Sequence, residues 1–78
     1  MANKYLKENI LQAVENQLRE NNPPVTKITF ERLKSLGYTT QQAKEKIAAV
    51  LLGEIYNLLK NNENYNEIRY AKSLEELK

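Results

Sequence analysis

From Thr39 to Lys60 the chain carries apolar side chains at helical spacing, with no proline to interrupt them. Ala43, Ile47, Ala48, Val50, Leu51, Leu52, Ile55, Tyr56, Leu58 and Leu59 cover about 260° of the circumference at 100° per residue. A helix this apolar is buried on most sides, so the rest of the chain must wrap it. Its start is marked by Thr39 and Gln42, the two ends of a capping box in which each side chain satisfies a free backbone N–H. The polar strip left over is narrow: Lys46, Asn57 and Lys60, with Gly53 among them.

What can wrap it follows from the helix breakers. Gly and Pro occur only twice each in 78 residues. A first helix is predicted over residues 3–20, where Leu6, Ile10, Leu11, Ala13, Val14 and Leu18 share one arc. Asn21-Asn22-Pro23-Pro24 ends it, because proline disfavours helical geometry in the residue before it. A second helix is predicted over residues 25–36, with Pro24 in its first turn and Gly37 as the left-handed residue that closes it. Residues 61–64 read as a turn. A last helix begins near Asn66, a good N-cap, and carries Ile68, Tyr70, Ala71, Leu74 and Leu77 inward. Ser73 and Glu76 offer a second capping box at which that helix could kink. Connections of about four residues or fewer favour antiparallel neighbours. The expected fold is all-α: one compact four-helix domain over residues 1–78 with a long, largely buried third helix.

The residue inventory excludes most site chemistry. The chain has no His, Cys or Asp, so a Ser-His-Asp triad, a thiol nucleophile and the usual zinc ligand sets are out. Glu is the only carboxylate side chain, and nothing singles out a catalytic pair of them. Gly37 and Gly53 are isolated, so no phosphate-binding loop exists. No enzyme activity, cofactor or metal is expected. Twelve Lys and Arg against ten Glu leave a net charge of +2, too weak by itself to imply nucleic acid. The longest apolar run, from Ile47 to Leu52, is far short of a membrane span, and the start of the chain has no apolar signal region. A cytoplasmic location is the expectation.

Four features invite a functional reading. Gly53 interrupts a helix that would be more stable without it, which points to a packing role. Five tyrosines, Tyr5, Tyr38, Tyr56, Tyr65 and Tyr70, could anchor an interface, but most fit partly buried positions or helix starts. The corner from Phe30 to Ile47 has the outline of a helix-turn-helix, yet only Lys44 and Lys46 offer the basic face that a DNA-reading helix needs. The same Leu36-Gly37-Tyr38 turn looks like that of ubiquitin-associated-type modules, whose helices are shorter.

Across nearly the whole chain a series of residues runs in order: Glu15-Asn16-Gln17, Asn22-Pro23-Pro24-Val25, Thr29, Arg32-Leu33, Gly37-Tyr38, Gln42-Ala43, Ile47-Ala48, Glu54-Ile55, Tyr65, Arg69-Tyr70, Leu74 and Leu77. Together they resemble a family of small, uncharacterised bacterial cytosolic proteins. The resemblance implies a helical cytosolic domain without a known activity. Relatives carry His around Ala43 and in the next turn, where this chain has Gln41 and Glu45.

Two charges are oddly placed. Glu54 falls between Ala43, Val50 and Ile47 on the helical wheel, and Arg32 between Ile28, Val25 and Leu36. An isolated charge rarely stays buried, because its desolvation costs several kcal/mol. The expectation is a buried polar pair of Arg32 and Glu54, joined by Gln17 from the first helix. The functional expectation is a non-enzymatic protein-interaction or regulatory domain that forms a homodimer, its protein partner otherwise unknown. The alternative is nucleic-acid binding through the second and third helices.

Overall fold

A computed structural model describes the backbone of residues 4–78 and the side chains from residue 6 onward. Four helices follow in order: α1 (Lys4–Glu20), α2 (Pro24–Ser35), α3 (Thr40–Asn61) and α4 (Glu67–Glu75). No strand occurs among the described residues. The predicted start of α1 at residue 3 lies outside the described residues.

Local chemistry sets most of the boundaries. Asn21 takes a left-handed φ of 52° just after α1, and the Asn22 N–H reaches back to the Gln17 carbonyl at 3.1 Å. Asparagine tolerates this geometry better than other side chains. The Asn22–Pro23 peptide is cis. Pro23 is the N-cap of α2, and Pro24 is its first residue. Gly37, with φ at 104°, lets the Tyr38 N–H donate to the Leu33 carbonyl at 3.2 Å and closes α2. The Thr39–Gln42 capping box is complete in both directions. Asn62 repeats the left-handed ending of Asn21 at the far end of α3, and the Asn66 side chain accepts the Arg69 N–H at the start of α4.

The helices α1 and α4 each pack against both α2 and α3. The core is built from side chains four residues apart on each helix: Ile10 and Val14, then Ala43, Ile47 and Leu51, then Tyr70 and Leu74, with Leu33 and Ala48 between them. The radius of gyration is 12.2 Å, near the about 11.5 Å expected for a packed chain of this length.

Three expectations need correction. The third helix is the longest, but it is buried along one side only: Ala43, Ile47, Ala48, Leu51 and Glu54 are covered, whereas Leu52, Tyr56 and Leu59 are exposed. Three neighbouring helices of modest length cannot cover an apolar arc this wide on 22 residues. Ile68 does not point inward. It stands about 200° around α4 from Tyr70 at 100° per residue and is 82% exposed. Finally, α4 runs through Ser73 as one helix, without a kink or restart. Among the described residues, no helix is long and apolar enough to cross a membrane.

Candidate functional site

The inward charges both find partners, but not each other. Glu54 is only 5% exposed. It takes Arg69, from the first turn of α4, in a forked arrangement: Arg69 Nε donates to Glu54 Oε1 at 3.0 Å and Nη2 to Oε2 at 2.7 Å. The remaining Nη1 donates to Glu63 Oε1 at 3.2 Å. The Arg69 hydrogen bonds hold the Glu54 carboxyl below the usual carboxylate range, against the opposing pull of burial. The same bonds raise the Arg69 guanidinium above its ordinary value.

Arg32 serves the other end of α4. Its Nη2 donates to the Leu74 carbonyl at 2.9 Å and to the Glu75 carbonyl at 3.4 Å, and its Nη1 donates to the Leu77 carbonyl. The Leu74 and Glu75 carbonyls stand in the last turn of α4, at the negative end of the helix dipole, so a guanidinium fits there, although the Leu74 carbonyl also accepts the Leu77 N–H at 3.1 Å. The predicted Arg32–Glu54 pair is therefore corrected. A helical wheel gives the direction of a side chain around its axis but not its level along it. Glu54 lies at the N-terminal end of α4 and Arg32 at the C-terminal end. Arg69 carried a readable signal: it sits three residues past the N-cap, where the helix dipole disfavours a cation unless a carboxylate answers it.

Gln17 joins neither charge. Its Oε1 accepts from Thr26 Oγ1 at 2.7 Å and from the Tyr70 hydroxyl at 3.0 Å. This knot ties α1, α2 and α4 together. Thr26 and Tyr70 are fully buried, and burial pushes the Tyr70 phenol up. Among the described residues, no buried side-chain polar atom lacks a partner. Both polar clusters are thus closed on themselves and hold the fold together.

The basic groups of the helix-turn-helix outline are also engaged. Lys44 pairs with Glu15 at 3.0 Å, and Lys46 lies 4.7 Å above the Tyr38 ring. The Tyr38 hydroxyl donates to the Lys78 carbonyl at 3.0 Å, which tethers the residues after α4 to the Gly37 corner.

One part of the open surface is apolar. A groove of about 410 Å³ runs between α1 and α3, floored by Leu6, Ile10, Leu11, Ala48, Ala49 and Leu52. Lys7 and Glu45 meet across its rim at 3.5 Å. Beyond the groove the apolar surface continues along α3 through Tyr56, 64% exposed, to Leu59, 80% exposed. Ala49, Leu52, Tyr56 and Leu59 alternate steps of three and four residues, the spacing of a seam between two helices. The sequence carries these apolar residues on an arc too wide for three helices to cover, which is what motivates the homodimer expectation, but the sequence reading places most of that arc in the core and leaves Ala49 out of it. No protein family, curated protein or solved structure was found that matches the chain.

Proposed function

We propose that the chain is a non-enzymatic interaction domain that associates with a second copy of itself through the exposed face of α3 and the groove beside it. The observation that carries this reading is the seam of Ala49, Leu52, Tyr56 and Leu59 on a helix whose opposite side is already packed. Apolar residues at alternating three- and four-residue spacing bury well only against another helix. A groove with a charged pair at its rim and an apolar floor is the matching half of such a contact. The cytoplasm is the location this reading adopts.

Sedimentation equilibrium from micromolar to millimolar concentration tests the reading. A monomer–dimer equilibrium is expected, and Leu59→Glu, on a side chain that supports nothing within the chain, is expected to shift it to monomer. A mass of 9.1 kDa at every concentration refutes self-association.

A further inference from the structure

We propose that the two copies of α3 pack antiparallel, with the two-fold axis passing beside the Leu52–Gly53 peptide. This rests on the self-association reading above and adds the direction, the register and the role of Gly53.

The first support is shape. Gly53 lies in mid-helix, and a Cβ built there meets nothing within 4 Å. Nothing inside the chain calls for a glycine at this position, and glycine weakens a helix. A glycine on an open helix face allows a second helix backbone to come close. On the helical wheel Gly53 borders the exposed arc that holds Leu52, Tyr56 and Ala49. An antiparallel axis beside Gly53 brings the two glycines together on one flank and the two Leu52 side chains together on the other.

The second support is the pairing this register creates. Residues equidistant from the axis face each other across an antiparallel contact. Ala49 then faces the partner's Tyr56, so the smallest side chain of the seam meets the largest. Tyr56 and Leu59 of one copy arrive at the level of Ala49 and Lys46 of the other, beside the open groove against Leu6 and Ile10. Glu45 faces the partner's Lys60 and joins it to the existing Lys7 contact. A parallel pairing sets Glu45 against Glu45, Lys60 against Lys60 and Tyr56 against Tyr56, and leaves Ala49 opposite Ala49. Like charges at matched positions are unfavourable, and so is a gap between two alanines. Antiparallel helices also align their dipoles favourably.

The chain has no cysteine, so each introduced one is unique. Single variants Leu52→Cys, Glu45→Cys and Lys60→Cys are treated with a short bis-maleimide, alone and in equimolar pairs. Leu52→Cys is expected to link to itself. Glu45→Cys and Lys60→Cys are each expected to stay unlinked alone, since equivalent positions are roughly 22 Å apart along the axis, and to link when mixed. Gly53→Ala is expected to weaken dimerisation at least tenfold while the thermal stability of the monomer holds or rises. If sedimentation gives a dimer but Glu45→Cys and Lys60→Cys each link to themselves, the antiparallel arrangement is overturned and self-association stands. If Gly53→Ala dimerises as tightly as the parent, the close approach at Gly53 is overturned. If the parent is a monomer throughout, the underlying reading fails first.

Discussion

Burying the Glu54 carboxylate beside α4 strips it of water, and the Arg69 fork replaces that hydration with directed hydrogen bonds. The two partners are unequally placed: Glu54 is buried, while Arg69 keeps contact with solvent and with Glu63. Arg69→Met should therefore cost more stability than Glu54→Gln, because it strands a buried carboxylate rather than a half-open guanidinium. The two changes should be strongly non-additive. Arg32→Met should cost about 1.5–3 kcal/mol through the lost carbonyl contacts, and it should add to Glu54→Gln without coupling, since the two side chains share no partner. Urea unfolding of the single and double variants measures both cycles, and coupling between Arg32 and Glu54 would contradict the geometry. The same contacts set the pH response. Glu54 ionises more readily in the folded chain than in the unfolded one, so its contribution is full at neutral pH and fades as pH falls through its lowered value. The stability gap between the parent and Glu54→Gln should narrow in acid. Tyr70 is the mirror case. Its phenol is pushed up by burial, so its contribution holds below about pH 10 and is lost as pH rises through the raised value. Tyr70→Phe should cost about 0.5–1.5 kcal/mol at neutral pH and flatten the alkaline limb of the stability profile.

At the scale of helices, what is legible in the chain is what is local. The Thr39–Gln42 box, the Gly37 closure, Pro24 in a first turn and Asn66 as an N-cap depend on residues within about four positions of one another, and each is in place. Arg69 and Ile68 were less readable, since pairing and exposure depend on which neighbour stands opposite and at what level. The burial of Glu54 followed from its angle on α3, whereas the identity of its partner required the placement of α4. The two glycines make a test at this scale. Gly37 has a left-handed φ of 104° and open space around it, so Gly37→Ala is penalised by backbone strain alone, about 1–2 kcal/mol. Gly53 is helical with equally open space, so Gly53→Ala should stabilise the monomer by about 0.5–1 kcal/mol. Chemical denaturation at concentrations low enough to keep the chain monomeric reads both signs. A destabilised Gly53→Ala monomer would mean that the glycine is needed inside the chain.

At the scale of the whole molecule, nine buried apolar residues among those described form the core of a chain with no cysteine, while a long apolar stripe on α3 stays in contact with water. The proposed association would add to the folding free energy of such a chain by mass action and make its melting temperature depend on concentration. For a dimer that unfolds to two chains, each tenfold rise in concentration adds about 0.7 kcal/mol per chain, or about 3–6 °C for a domain of this size. Two substitutions separate this effect from monomer stability. Leu59→Glu, at a position 80% exposed, should remove the concentration dependence and leave the low-concentration melting temperature nearly unchanged. Leu74→Ala, at a fully buried position, should lower the melting temperature at every concentration, by about 2–5 kcal/mol of lost packing, and leave the slope intact. Calorimetry from about 5 to about 500 µM gives both slopes. A parent melting temperature that stays flat over that range, or a Leu59→Glu variant that keeps the parent slope, would remove the α3 seam as the surface through which this domain acts.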